Sequence, residues 1–300
     1  MQPILSSDIV KATVTLNAAF IDGMGSYTPV ANQLARELPV DSLTAEMAWH
    51  SVDTDMQEYD DEELPESVEN EVIRDYKIPI RRFRKFRRVA ADFIKYGKLG
   101  TAVQIMRDYG AAIAEFPDRQ LATLLNNGTT LKCWDGVAMF HAAHPLSPNK
   151  TSTTFANLLT AKPLSQANYR IARSTLKKMQ REDGSNMGLK GDVLVVDPTN
   201  EDLAREIVNA SIINNTTNVL QGSSQIVVLN YLNAGAWYLA SSAEQNKGLV
   251  KATLEAPRMI PPLVEGSEYT AQTDAYLYIA RCKMGFGYNL PQFIVRVNES

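Results

Sequence analysis

The stretch from Leu99 to Asn157 constrains this chain most. Apolar residues at Ala102, Val103, Ile105, Met106, Tyr109, Ala112, Ile113 and Phe116 recur at a mostly three-and-four spacing. That spacing gives a helix over Leu99 to Asn126 one wide buried stripe, a spine for other elements to pack on. Pro117 falls inside the pattern, lacks an amide hydrogen and crowds the preceding turn, so the helix should kink or break just before it. Asn127-Gly128 offers a left-handed stop and Asp135-Gly136 a tight turn, so Leu131 to Pro145 is expected to form a hairpin.

Upstream, residues 1 to 39 read as a weakly amphipathic helical arm. Ile9, Val10, Val14, Leu16, Phe20 and Ile21 come first, then a break with Gly23, Gly25 and Pro29, then Val30 to Leu38. The break should act as a hinge, and such an arm often packs on a neighbour rather than on its own core. Between Asp53 and Glu71 there are ten acidic residues and no basic one. From Arg81 to Arg88, six of eight residues are basic. The basic run has three readings: a nucleic-acid contact with Phe83 and Phe86 stacking on bases, a solvated face, or one side of a long projecting hairpin whose other side is the acidic run. The third is preferred, because opposed charges set register between subunits. It makes Asp53, Asp55, Glu58, Asp60, Asp61, Glu62, Glu63, Arg81, Arg82, Arg84, Lys85, Arg87 and Arg88 candidate inter-subunit contacts.

Downstream, Thr151 to Pro163 is polar and loop-like, with structure resuming at Asn157. Ser165 to Gln180 follows as an amphipathic helix with Tyr169, Ala172, Leu176 and Met179 on one face. Asp192 to Pro198 is a buried strand, and Thr199 or Asn200 should cap the next helix. With a strand at Gln225 to Leu229, this makes a β-α-β-like unit without the glycine-rich loop a nucleotide phosphate needs. Ala236 to Ala240 and Leu249 to Leu254 are further strands, the latter ending at Pro257, and Tyr276 to Ala280 and Phe293 to Val297 close the chain. The class is α+β.

The chemistry-bearing residues are sparse. A net charge of -4 argues against a main business of binding nucleic acid, so any DNA contact should be local and weak. Met1 to Ile9 lacks a basic region followed by an apolar core, so no secretory signal is expected, and no apolar run approaches a membrane span. Cys133 and Cys282 fit reduced thiols better than a disulfide. His141, His144 and Asp135 could form a two-histidine, one-carboxylate metal site, but a hairpin does not set the two rings on one face, and Pro145 holds His144 extended. Cys133 with His141 or His144 is the one candidate nucleophile and base pair, and no Gly-x-Ser-x-Gly elbow is present. No catalytic residue, cofactor or metal site is expected.

Taken together, Ala48-Trp49, Met56-Gln-Glu-Tyr59, Asp75-Tyr-Lys-Ile-Pro-Ile80, Asp135-Gly-Val-Ala-Met-Phe140, His144-Pro145, Asp192-Val-Leu-Val-Val-Asp-Pro198 and Trp237-Tyr-Leu239 resemble the major head subunit family of phage Mu and Mu-like prophages. The resemblance covers nearly the whole chain. It implies the Hong Kong 97-type capsid fold, an α+β shell protein forming hexamers and pentamers of an icosahedral virion head around double-stranded DNA, assembled in the host cytoplasm. Its implied partners are further copies of itself, a portal, a scaffold or maturation protease and a decoration protein, with no membrane. It also implies an N-terminal arm (1–39), an extended loop over the adjacent subunit (40–88) and a peripheral domain (89–164) with spine helix 99–126. An axial domain (165–258) and a return to the peripheral domain (259–300) complete it. Trp49, Trp134, Asp135, Gly136, Phe140, His144, Pro145, Pro198 and Trp237 would be its structural motif residues. An encapsulin-like compartment shell is the alternative, and a metal- or thiol-dependent hydrolase using Cys133, His141 and His144 a distant one.

Overall fold

The structure, a computed structural model, describes residues 6–50, 72–96, 98–147, 150–213, 215–260 and 268–300. The chain begins with α1 (Ser6–Gly25), a turn, the short α2 (Ala31–Leu34) and β1 (Ala35–Pro39). β2 (Thr44–His50) and β3 (Val72–Pro79) pair antiparallel, and β4 (Arg81–Ala90) follows directly after Ile80. Next come α3 (Ala91–Lys95), α4 (Leu99–Ala114) and α5 (Phe116–Asn126), then a second antiparallel pair, β5 (His144–Ser147) and β6 (Lys150–Phe155), and β7 (Leu158–Leu159). α6 (Gln166–Lys177), β8 (Val193–Val196), α7 (Glu201–Asn209), β9 (Ile212–Ile213), β10 (Thr216–Thr217), β11 (Gln225–Val228) and β12 (Ala236–Ala240) follow. β13 (Leu249–Ile260), α8 (Glu268–Thr273), β14 (Ala275–Tyr288) and β15 (Ile294–Asn298) end the chain.

Two sheets carry the core. In the four-stranded sheet, of order β1-β13-β14-β4, side chains alternate along β14. Tyr276, Tyr278 and Ala280 are buried with Leu16 and Phe20 of α1 and Ala102 and Met106 of α4. In the five-stranded sheet, of order β11-β8-β12-β15-β7, alternation divides one strand between two cores. Val193 and Val195 join Leu121 and Leu125 of α5, while Leu194 and Val196 join Tyr169 and Leu176 of α6 and Ile207 of α7. This sheet is therefore covered on both faces, which explains why β8 reads as an unbroken apolar run.

The spine breaks where Pro117 requires: α4 stops at Ala114 and α5 restarts at Phe116, with Pro117 in its first turn. The stop at the far end differs from expectation, since Asn127 has φ -94° and no left-handed residue is needed. Gly128 is there for room: a Cβ on it would lie 2.5 Å from the Phe140 ring. The hairpin expected over Leu131 to Pro145 reduces to one bridge, Lys132 to Ala138. The true hairpin is β5–β6, and the threonines expected in a loop are strand residues whose β-branched side chains suit the pleat.

The arm also departs from expectation. α1 lies on α4 of its own chain, through Gly23 and Gly110, and Val30 to Leu38 is divided between the short α2 and β1, the latter paired parallel with β13. β13 runs past Pro257 because bulges between Thr253 and Arg258 take the proline out of the ladder. The boundary expected at 258 thus falls inside a strand of the four-stranded sheet, and β15 pairs in the five-stranded one. The capping expectation shifts by two residues: the Asp197 side chain accepts from Thr199 N, and a single 3₁₀ turn precedes α7.

Candidate assembly surface and buried polar cluster

β4 carries the basic run, and its partner among the described residues is β14. Arg81 to Ala90 pair antiparallel with β14, at the edge of the four-stranded sheet, whereas the antiparallel partner of β3 is β2. Among the described residues, the strand beside the basic run is thus β14. Asp53, Asp55, Glu58, Asp60, Asp61, Glu62 and Glu63 lie outside the described residues, as does the side chain of Trp49.

The alternation of β4 gives it two unlike faces. Phe83 turns toward the helices and packs on Phe116 with the rings tilted by 60° at a 4.7 Å centroid separation. Arg82, Arg84, Phe86 and Arg88 turn the other way, opposite Lys283, Arg281, Ile279 and Leu277 of β14. At one end the β2–β3 hairpin covers this second face, where Gly285 and Gly287 admit Ile78 and Ile80: a Cβ on Gly287 would sit 2.7 Å from Ile78. From Lys283 to Leu277 the β14 side chains of this face are half-buried among the described residues. Phe86 is 53% exposed there. Glu255 of β13, the carboxylate of this face, pairs with Lys283, while Arg258 and Arg281 stand 3.7 Å from it. Salt bridges to Lys283, Arg281 and Arg258 hold the Glu255 carboxyl below its ordinary range. Among the described residues Arg82 and Arg84 have no ion-pair partner. The result is an apolar strip of Phe86, Ile279 and Leu277 rimmed by excess positive charge.

The second assembly of polar groups is internal. The turn Cys133-Trp-Asp-Gly136, with Gly136 at φ 84°, aims Cys133 and Asp135 at His144, the first residue of β5. The Cys133 thiol donates to Asp135 Oδ1 at 3.0 Å, and Asp135 Oδ2 lies 2.6 Å from His144 Nδ1. Burial raises the Asp135 carboxyl, but the hydrogen bonds of His144 and Cys133 outweigh it and hold the group below its usual range. Burial, with Asp135 alongside, pushes the Cys133 thiol far up, which makes it a poor nucleophile. Its hydrogen bond goes to a carboxylate rather than to an imidazole. His141 stands apart, with its ring nitrogen on Ala143 and its ring 5.9 Å from His144. The structure does not bring the expected Cys133, His141 and His144 together.

Trp134 is buried, Phe140 packs on Tyr238, Pro145 lies in β5, Pro198 opens the 3₁₀ turn, and Trp237 donates to the Lys162 carbonyl at 3.1 Å. Two residues escaped the sequence reading. Asn157 holds four partners, and Asp118 anchors the arm; neither sits in a pattern that marks it, because their partners, mostly backbone groups, are distant in sequence.

A family model described as phage capsid protein matches residues 75–297. The chain belongs to the phage capsid protein family. The match runs from the end of the β2–β3 hairpin to the last strand, and it makes this a phage major capsid protein. Solved shells share its Hong Kong 97-like fold. The procapsid subunit of bacteriophage JBD30 is 17% identical, with TM-score 0.61, covering 99% of this chain and 77% of that one. The virus-like particle from Pyrococcus furiosus is 10% identical, with TM-score 0.54, covering 94% of this chain and 97% of that one. The mature capsid subunit of bacteriophage PhiM1 is 14% identical, with TM-score 0.54, covering 91% of this chain and 87% of that one. No curated protein sequence matches significantly.

Proposed function

We propose that this capsid protein is the head subunit of a Mu-like phage or prophage, forming hexamers and pentamers of an icosahedral shell around double-stranded DNA in the bacterial cytoplasm. The observation that carries the self-association is the half-open four-stranded sheet: one face packs on α1 and α4, and the other offers apolar side chains rimmed by cations. The complementary charge is on the same chain, in the ten acidic residues between Asp53 and Glu71. A neighbouring copy's acidic loop answers the cations of Arg82 and Arg84, and such pairs set register and encounter rate more than affinity. Portal, maturation protease and DNA contacts follow from the Mu-like reading, and a decoration protein has a parallel in the JBD30 capsid decorated with minor capsid protein trimers. The residue ranges of arm, extended loop, peripheral and axial domain belong to the same proposal.

Negative-stain electron microscopy of the overexpressed protein, with and without the scaffold encoded beside it, tests the reading. Closed shells, or hexamers and pentamers, are expected; a folded monodisperse monomer in both cases overturns it. Portal and tail genes beside the coding sequence separate a phage head from an encapsulin-like compartment.

A further inference from the structure

The turn after α5 and the start of β5 bring three kinds of donor together: Cys133 Sγ, an Asp135 carboxylate oxygen and a His144 ring nitrogen, all within 4.8 Å of one another. Their surroundings fix how each is directed. Asn157 donates its amide to the Met139 carbonyl at 2.8 Å and the Pro291 carbonyl at 3.0 Å, while its Oδ1 accepts the His141 backbone N–H at 2.9 Å. Oδ1 is therefore an acceptor toward His144 Nε2 at 3.1 Å, with the Met139 carbonyl at 3.2 Å, and Nε2 bears a hydrogen. Nδ1 then faces Asp135 Oδ2, two acceptor atoms sharing a proton. Asp135 Oδ1 takes the Cys133 thiol proton and the Val137 N–H, the latter at 3.1 Å. The cluster so holds two exchangeable protons, one on sulfur and one between nitrogen and oxygen, and is neutral.

We propose that Cys133, Asp135 and His144 bind one zinc ion in place of those two protons. The thiol proton and the shared proton leave to solvent, bonds form from zinc to Sγ, to a carboxylate oxygen and to Nδ1, and nothing is oxidised or reduced. One thiolate, one carboxylate and Zn²⁺ sum to zero, as the protonated cluster does, so the exchange adds no net charge to a site where His144 is fully buried. Thiolate with imidazole and carboxylate is a donor set that suits zinc. The outer hydrogen bonds suit it too: Nε2–H on Asn157 and Met139 holds the tautomer, and the Val137 N–H steadies the carboxylate. Zinc lies about 2.0 to 2.3 Å from such ligands in a tetrahedron, so the 2.6 Å Asp135–His144 pair opens and the more widely spaced donors, within 4.8 Å of one another, draw in to take it. The second Asp135 oxygen or a water completes the tetrahedron. The ion would tie the exit of α5 to the β5–β6 hairpin and enter as that turn folds.

The test uses the full chain produced in zinc- or cobalt-supplemented medium and dialysed exhaustively. The expected result is about one metal per chain, with a thiolate-to-cobalt charge-transfer band in the Co²⁺ form. Cys133→Ser, which keeps the hydrogen bond to Asp135, should lose that band and weaken metal retention about tenfold or more. Cys282→Ser, at the other cysteine of the chain, should retain both. Cys133→Ala must behave as Cys133→Ser does, with both folds checked by circular dichroism in metal-free buffer. Metal content no higher than that of Cys133→Ser, or a cobalt spectrum unchanged by that substitution, overturns the proposal.

Discussion

Gly110 of α4 and Phe20 of α1 meet through their backbones: a Cβ on Gly110 would overlap the Phe20 carbonyl oxygen and stand 2.9 Å from the Met24 nitrogen. The neighbour is main chain and cannot rotate aside, so the two helices must separate to admit a methyl group. Gly110→Ala should destabilise the protein by about 1 to 3 kcal/mol through overpacking, even though alanine favours helix. Gly25→Ala, where a Cβ meets nothing within 4 Å, is the control and should be near neutral. Urea unfolding of both variants checks this; equal midpoints would show that α1 does not rest on α4.

Asp118 is a clasp between arm and spine. It is 1% exposed, and its Oδ1 accepts the Ala31 N–H at 2.7 Å while Oδ2 accepts the Val30 N–H at 3.2 Å and the Tyr27 hydroxyl at 2.6 Å. Hydrogen bonds to a charged acceptor contribute about 1.5 to 3 kcal/mol each, and removal strands the buried Ala31 amide. Asp118→Ala should cost about 3 kcal/mol, and Asp118→Asn less, because its amide must face donors on one side. Tm measurement distinguishes them, and an unchanged Tm for Asp118→Ala rejects the clasp.

How much of this was legible in the sequence depends on what each residue answers to. The spine, its break at Pro117, the α6 face and the unbroken apolar run of β8 follow from local pattern, and the sequence read them correctly. Gly128 and Gly287 were misread or passed over because their reason is a ring or an isoleucine from another element, invisible in one dimension. The partner of the basic run was missed likewise: strand pairing is set by which edge is free, and β14 takes β4 across many intervening residues. In the polar cluster the sequence offered Asp135 and Cys133 beside His144, and the fold brings both there, whereas the His141 ring turns to Ala143 and Asn157, which the sequence did not mark, completes the surroundings of His144. A turn with a left-handed glycine reverses the chain there, and spacing alone does not show which side chains it turns inward.

Alkaline pH should unfold the protein over a defined window. Burial raises Tyr238 to about 12, against the opposing charge of Arg296, and burial raises Cys282 to about 11. A group whose folded value is raised contributes stability in full below its unfolded value, near 10 for tyrosine, and loses it as pH climbs through the folded value. The Tyr238 contribution is about 2 to 3 kcal/mol at neutral pH and should vanish between roughly pH 10 and 12. Tyrosinate absorbance and far-ultraviolet circular dichroism should therefore change together for the buried tyrosines. Complete tyrosine ionisation near pH 10 with the dichroism intact would contradict this.

The charge reading of the open sheet face makes the sharpest demand on assembly. Arg82 and Arg84 lie on an exposed edge strand, and reversing them breaks no ion pair among the described residues. Arg82→Glu with Arg84→Glu should leave the monomer's stability within about 0.5 kcal/mol per site, the usual range for surface substitutions, while abolishing closed shells. A second pair, Asp60→Arg with Asp61→Arg, should fail in the same way if the acidic loop of a neighbour is the counterpart. Combining all four restores opposite signs across the contact and should recover shells, as a lost general charge would not. Wild-type assembly should also weaken as salt rises, because exposed charges are screened within about 8 Å at physiological ionic strength. Shells forming normally from the Arg82→Glu, Arg84→Glu double variant would remove this face from the interface.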